Sequence, residues 1–133
     1  MTSGEVGVGL VGSGFIGQVH AEAFSRSAVA SLRAVASRSP DRAAAFARQW
    51  GIPAWHTDYR ELAGRSDVDL VCVASPNWLH RDIVVAAAEA GKHVVCEKPL
   101  ARTLREADEM IAACRRAGVK LMYAEELCFA LKY

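Results

Sequence analysis

Residues 5–17 read Glu-Val-Gly-Val-Gly-Leu-Val-Gly-Ser-Gly-Phe-Ile-Gly, an apolar run that leads into a glycine-rich turn. The apolar residues of this run, Val6, Val8, Leu10 and Val11, predict a buried parallel strand. The turn that follows opens a predicted helix starting at Phe15. A strand, a tight glycine turn and a helix in direct succession form the first half of a βαβ unit.

The glycines of the turn have the spacing Gly-x-Gly-x-x-Gly, with Gly12, Gly14 and Gly17 in the three places. In a dinucleotide-binding turn the first glycine permits the sharp turn and the second lets the backbone approach a pyrophosphate. The third lets the helix pack closely against the strand, and the pyrophosphate lies at the helix N-terminus, where free N–H groups favour an anion. The motif alone also fits a purely structural turn. Its place between a strand and a helix favours the dinucleotide site.

The composition is that of one ordinary globular domain. Of 133 residues, 52% are hydrophobic and 23% are charged, and 16 basic residues oppose 15 acidic ones. So balanced a charge provides no field for nucleic acid or a membrane surface, and we expect neither as a partner. The four cysteines form no Cys-x-x-Cys pair, and we expect all four to be buried and reduced in a cytoplasmic protein. We expect no metal site.

Strand and helix patterns alternate along the whole chain. After the first helix, predicted to bury Ile16, Val19, Ala23 and Phe24, a second strand ends at Ala36. Ile52 to His56 is a linking segment that can hold an edge strand, and the third, fourth and fifth strands start near Val68, Lys92 and Val119. Right-handed crossovers between such elements predict an α/β fold, a doubly wound parallel sheet of at least five strands in the order 3-2-1-4-5.

The end of the second strand decides which cofactor the sequence favours. In folds that prefer NAD, an Asp or Glu about 20 residues past the glycines binds the ribose 2′-hydroxyl. Here Ser37 and Arg38 stand in that place. A hydroxyl and a guanidinium bond and pair with a 2′-phosphate, whereas a carboxylate repels it. We therefore predict NADP, with NAD as the alternative, although Arg38 also fits a solvated loop residue.

Polar residues follow two further strands where ligands bind in open α/β sheets, at the carboxyl ends. Ser75, Pro76 and Asn77 come after the third strand, and Glu97 and Lys98 come directly after the fourth. An ion pair that decorates a loop is the plain alternative for Glu97 and Lys98. Two histidines are weaker candidates: His80 as a ligand-binding or packing residue, and His20 as a surface or packing residue of the first helix.

Three stretches together resemble the glucose–fructose oxidoreductase / inositol dehydrogenase / MocA family of oxidoreductases. They are Gly12 to Gly17, Ser75-Pro-Asn-Trp-Leu-His80, and Gly91-Lys-His-Val-Val-Cys-Glu-Lys-Pro-Leu-Ala101, in which Glu-Lys-Pro is the most specific part. The resemblance spans Val6 to about Ala124.

The motifs described above and the resemblance together give a set of expected cofactor-binding residues. They are Gly12, Gly14, Phe15, Ile16, Gly17, Ser37, Arg38, Ser75, Pro76, Asn77, His80, Glu97 and Lys98. The resemblance implies that the Pro76-Asn77 loop and Glu97 lie along the nicotinamide half, and that Lys98, the expected catalytic residue, lies where nicotinamide and substrate meet. Members with Ser-Arg after the second strand are similar to the NADP-preferring ones.

The same resemblance implies a function and a division of the chain. We expect hydride transfer between NADP and a hydroxyl or carbonyl carbon of a sugar, polyol or related small molecule. Residues 1–124 would form the dinucleotide-binding domain, and 125–133 would begin a truncated continuation toward a substrate domain that family members possess.

Two other functions stay open at this point: a free-standing NAD(P)-binding module without catalysis, and a redox-neutral, glycosidase-like enzyme that uses NAD transiently. We expect this stretch by itself to show no dehydrogenase activity. We expect its apolar end, residues 127–133, to be either disordered or packed against another copy. We also expect a homo-oligomer, because the surface that a second domain would cover is bare and a large exposed apolar patch favours self-association.

Overall fold

The computed structural model describes residues 4–131, and the expectations for residues 1–3 and 132–133 lie outside the described residues. The chain alternates strands and helices throughout. The strands are β1 (Val6–Val11), β2 (Ala30–Ala36), β3 (Ala54–His56), β4 (Leu70–Val73), β5 (His93–Glu97) and β6 (Leu121–Ala124). The helices are α1 (Phe15–Ser25), α2 (Pro40–Trp50), α3 (Tyr59–Ala63), α4 (His80–Glu89) and α5 (Leu104–Ala117). Short 3₁₀ helices cover Asn77–Leu79 and Glu126–Phe129.

The strands form one parallel sheet in the order β3-β2-β1-β4-β5-β6. The predicted doubly wound parallel sheet is confirmed, and its order reads 3-2-1-4-5 followed by a sixth strand, although the strands that hold the numbers from three onward are not the predicted ones. The third place belongs to the three-residue edge strand Ala54–His56. The run from Val68, counted third in the sequence, is therefore the fourth strand, and it pairs with β1 on the side away from β2.

Local sequence accounts for where the helices begin and end. The Ser39 side chain caps α2 by accepting from the Arg42 N–H, and Gly51 ends that helix in the left-handed conformation. Thr103 caps α5 in the same way, and Gly118 ends it. By contrast, α1 begins at Gly14 without a capping side chain or an acidic residue in its first turn. Its first N–H groups are therefore open to a ligand.

Two apolar layers cover the sheet, one on each face. The layer beneath α1 and α2 comprises Val8, Leu10, Ala21, Val35, Phe46, Ala47, Ile52 and Cys72. The layer beneath α3, α4 and α5 is larger and includes Leu62, Val71, Ile83, Val84, Val94, Met110 and Cys114. The buried face of α1 differs from the prediction. Gly17 and Ala21 are buried while Val19 and Ala23 are exposed, because the helix lies on its small residues.

Three of the four cysteines lie in the core, whereas Cys128 is exposed, so the expectation of four buried cysteines is wrong at that position. Burial, and next the charge of Glu97, raises the pKa of the Cys72 thiol. The same causes raise the pKa of Cys96 to about 12, and burial raises that of Cys114.

The cysteine environments predict one reactive thiol in the native protein. A raised pKa leaves less thiolate at pH 8 than a free cysteine has, and the thiolate is the reacting form. Titration with a water-soluble aromatic disulfide should modify Cys128 rapidly and the other three only after unfolding. Rapid modification of two or more thiols in the folded protein would contradict this packing. Cys128→Ser is the matched variant, and it should remove the fast phase.

Within residues 4–131, no helix is long and apolar enough to cross a membrane. The predicted domain boundary after Ala124 and the homo-oligomeric state stay predictions.

Candidate functional site

A cavity of about 640 Å³ opens at the carboxyl edge of the sheet. Three segments form most of its walls: the glycine turn after β1, the end of β2 with the start of α2, and the loop after β4. Residues after β3 and at the start of α4 complete the lining. Its lining residues include Gly12, Ser13, Gly14, Phe15, Ile16, Ser37, Arg38, Ser39, Arg42, Thr57, Ser75 and Pro76. Eight of the residues predicted to bind the cofactor therefore share one cavity. They are Gly12, Gly14, Phe15, Ile16, Ser37, Arg38, Ser75 and Pro76.

The three motif glycines have different surroundings. Gly12 has φ +119°, in the region that favours glycine, and its N–H donates to the Ala36 carbonyl at 2.9 Å. A Cβ on Gly17 would lie 2.3 Å from the Gly12 carbonyl oxygen, so Gly17 lets α1 begin directly beside the turn. A Cβ on Gly14 would meet nothing within 4 Å. The protein leaves that space open, as a pyrophosphate against the backbone requires.

The β2 end of the cavity carries hydroxyls and positive charge. Ser13 Oγ donates to Ser37 Oγ at 2.9 Å, so the glycine turn and the end of β2 are joined directly. Arg38 and Arg42 both line the cavity with exposed side chains, and none of the ion pairs within residues 4–131 involves either. The described lining residues include no carboxylate. This end of the cavity therefore suits an anion.

Arg42 was missed from the sequence, although a signal for it existed. It lies in the first turn of α2, which begins four residues after the end of β2. A residue so close to the strand end faces the same edge of the sheet as Ser37. Thr57 was missed because the edge strand β3, which places it there, has only three residues.

His80 connects two loops rather than facing the cavity. Its side chain is 1% exposed. Nε2 lies 2.9 Å from the Ser75 carbonyl oxygen, and Nδ1 lies 3.0 Å from that of Pro99. The ring is buried against backbone carbonyls, which fits the packing alternative, and cofactor binding by His80 stays a prediction. The ring holds the loop after β4 beside the loop after β5.

Glu97 is the last residue of β5 and Lys98 follows it, and both lie outside the cavity lining. Glu97 Oε1 lies 2.7 Å from His20 Nε2, and its Oε2 accepts from the Lys98 N–H at 3.1 Å. The Lys98 side chain is exposed. Asn77, in the 3₁₀ helix before α4, and Gly17 also lie outside the lining. No group of three or more side chains within the described residues could hold a metal ion.

Comparison with known proteins agrees with this geometry. The model of the oxidoreductase family with an NAD-binding Rossmann fold, named for glucose–fructose oxidoreductase, inositol dehydrogenase and MocA, matches residues 6–125. The chain belongs to this family. It is an NAD(P)-binding Rossmann domain of that family, and the predicted resemblance is confirmed.

Two curated relatives and one solved structure illustrate the similarity. Levoglucosan dehydrogenase of Pseudarthrobacter phenanthrenivorans is 38% identical over 125 residues, which are 88% of this chain and 32% of the relative. The 1,5-anhydro-D-fructose reductase of Ensifer adhaerens is 44% identical over 113 residues, 85% of this chain and 34% of the relative.

The structure of a levoglucosan dehydrogenase with NADH and levoglucosan superimposes with a TM-score of 0.84 at 38% identity. The superposition covers 90% of this chain and 35% of the levoglucosan dehydrogenase chain. The chain thus spans about a third of the length of the relatives it matches.

Proposed function

We propose that this chain is the NADP-binding domain of a dehydrogenase that acts on a hydroxyl or carbonyl carbon of a sugar, polyol or related small molecule. The observation that carries the proposal is the cavity that the glycine turn, the end of β2 and the loop after β4 line together. Relatives named for levoglucosan and for anhydrofructose support the substrate class.

The cavity offers each part of a dinucleotide a suitable surface. The uncapped N-terminus of α1 and the open space over Gly14 suit the pyrophosphate. Ser37, Arg38 and Arg42 suit a 2′-phosphate on the adenosine ribose, because hydroxyl and guanidinium donors bond a phosphate and no carboxylate opposes it. The nicotinamide half would then extend away from β2, toward the ends of β4 and β5.

The bound nicotinamide supplies the hydride chemistry, and the protein positions the substrate carbon and polarises its oxygen. Lys98 has an exposed ammonium at the end of β5, where a substrate oxygen beside the nicotinamide would lie. There it would donate a hydrogen bond to a developing alkoxide or carry its proton. Asn77, one residue beyond Pro76, would contribute polar contacts on the same side. A cytoplasmic location belongs to the same proposal.

Replacing Ser37 by aspartate tests the choice of NADP. The variant should bind NADP more weakly by about 1–3 kcal/mol, because it loses a donor to the 2′-phosphate and adds repulsion. NAD affinity should hold or improve, since NAD presents a 2′-hydroxyl there. Calorimetric titration with both nucleotides measures the change in their ratio.

Ser66→Asp is the matched control for that experiment. Ser66 is exposed in the loop before β4, at the opposite edge of the sheet from the cavity. Its replacement by aspartate adds the same charge there. Unchanged NADP affinity in Ser37→Asp would contradict the assignment of the β2 end of the cavity. Equal losses in both variants would indicate a general charge effect instead.

Net reduction of NADP separates a dehydrogenase from a redox-neutral enzyme and from a binding module. The relatives are about three times as long as this chain, so the assay requires the full reading frame in which the sequence lies. Nicotinamide absorbance should rise with a member of a sugar and polyol panel. Tight NADP binding without any net reduction across such a panel would favour the other two functions.

A further inference from the structure

His20 and Glu97 join α1 to the end of β5 across the sheet. The two residues are 77 positions apart in the chain, and β5 is not a neighbour of β1, because β4 lies between them. His20 Nε2 nevertheless lies 2.7 Å from Glu97 Oε1, with side chains only 18% and 12% exposed. So short a contact between mostly buried polar groups is stronger than a surface pair. It therefore fixes both side chains.

The first helix places the His20 ring. Ile16 lies one turn before His20 on the same helix face and lines the cavity. Phe24 lies one turn after it, with its ring stacked at a centroid distance of 6.4 Å. Ile16 and Phe24 thus flank His20 along α1, and its imidazole reaches Glu97 from the helix whose N-terminus borders the cavity.

Both oxygens of the Glu97 carboxylate have a donor. Oε1 receives one from His20, and Oε2 receives the Lys98 N–H at 3.1 Å. An ionised carboxylate only accepts hydrogen bonds, so with Glu97 ionised the donor in this contact is His20 Nε2. The His20 ring and the Lys98 N–H together set the plane of the carboxylate. Of these two groups, only the His20 ring is a side chain, so only its contact can be removed by mutation.

The order of the strands places Glu97 on one half of the site. The hydroxyls and guanidinium groups at the end of β2 mark one side of β1, while β4 and β5 lie on the other side. A dinucleotide with its pyrophosphate at α1 spans both sides. Its nicotinamide half therefore extends toward the end of β5, where Glu97 lies.

We propose that His20 is a positioning residue, which orients the Glu97 carboxylate for recognition of the nicotinamide half of the cofactor. This role rests on the proposed function of the cavity. Without His20, Oε1 loses its partner and the carboxylate turns about its own side-chain bonds. The adenosine half, which binds on the other side of β1, does not depend on that orientation.

Two ligands test this role in the full chain: NADP, and adenosine 2′,5′-bisphosphate, which lacks the nicotinamide half. His20→Ala should weaken NADP about 10-fold, the scale of one lost charge-assisted bond, and change the bisphosphate less than about 2-fold. Glu97→Gln should show the same selective loss. The double variant should lose no more than either single one, because both act on one contact.

Two further variants guard against a purely structural effect. His20→Gln keeps a side-chain N–H of similar reach and should restore NADP affinity to within about 3-fold. Gln18, like His20, is a residue of α1, but its side chain contacts Gln49 and Trp50 on α2. Gln18→Ala removes these contacts and leaves the contact with β5 in place. It should leave the ratio of the two affinities unchanged.

The outcomes separate clearly. A selective loss of NADP, rescued by glutamine, supports the positioning role. An equal loss for both ligands, or no loss for either, overturns it, since a loosened α1 would affect both. If the unmutated chain bound neither ligand, the proposed function itself would fail, and this role with it.

Discussion

Replacing Gly14 by valine is expected to abolish dinucleotide binding and leave the domain folded. Gly14 has φ −84° and ψ −165°, which any residue adopts, and a Cβ there meets no protein atom within 4 Å. The protein therefore tolerates the side chain. A ligand does not, because the branched side chain would occupy the space through which a pyrophosphate reaches the backbone N–H groups of α1.

The expected loss is large because several bonds are lost together. Each hydrogen bond to a charged group contributes about 1.5–3 kcal/mol, so losing two lowers affinity about 100-fold or more. Titration calorimetry with NADP measures the loss, and circular dichroism with thermal melting checks the fold. Gly64→Val is the control, at the exposed end of α3 outside the cavity lining, where φ is −76° and a Cβ would have its nearest neighbour 3.4 Å away, and it should leave binding intact. NADP affinity equal to that of the parent in Gly14→Val would mean that the pyrophosphate lies elsewhere.

Much of the fold could be predicted because its signals are local. The glycine turn, the capping residues Ser39 and Thr103, and the glycines Gly51 and Gly118 mark the helix ends within a few residues. Strand order then follows from the alternation of elements and from handedness. The edge strand at Ala54 gave too weak a signal to be counted, because three residues carry little periodicity.

The structure agrees with the sequence on the glycine turn but not on the first helix. The first glycine, Gly12, was expected to permit the sharp turn, and it has the positive φ, +119°. The burial of α1 was assigned to its large residues, but Gly17 and Ala21 make the contact. A helix starting directly after a glycine turn lies too close to the sheet for large side chains on that face.

The site could be predicted only where its residues follow strand ends. Ser37 and Ser75 were found because carboxyl ends of parallel strands meet at one edge. His20 and His80 were ambiguous, because their partners are 77 and 19 residues away along the chain. No local pattern indicates that a histidine on α1 contacts the end of β5.

Replacing Gly17 by valine is expected to have the opposite effect to the Gly14 change, because it lowers the stability of the fold before it affects ligand binding. A Cβ at this position would lie 2.3 Å from the Gly12 carbonyl oxygen and 3.1 Å from its carbonyl carbon. These are backbone atoms held in the turn, since the Gly12 N–H donates to Ala36 on β2. They cannot rotate away as a side chain could, so α1 must move off the sheet.

Moving α1 would disturb the layer in which Ala21, Phe46 and Val8 pack. Overpacking of this kind costs on the order of 3 kcal/mol or more, which for a domain of this size lowers Tm by about 10 °C. Thermal melting of Gly17→Val beside Gly14→Val measures the difference, and the second variant should melt like the parent. Similar Tm values for the two variants would show that α1 does not depend on close contact at Gly17. The pair of substitutions thus separates the glycine that the fold needs from the glycine that the ligand needs.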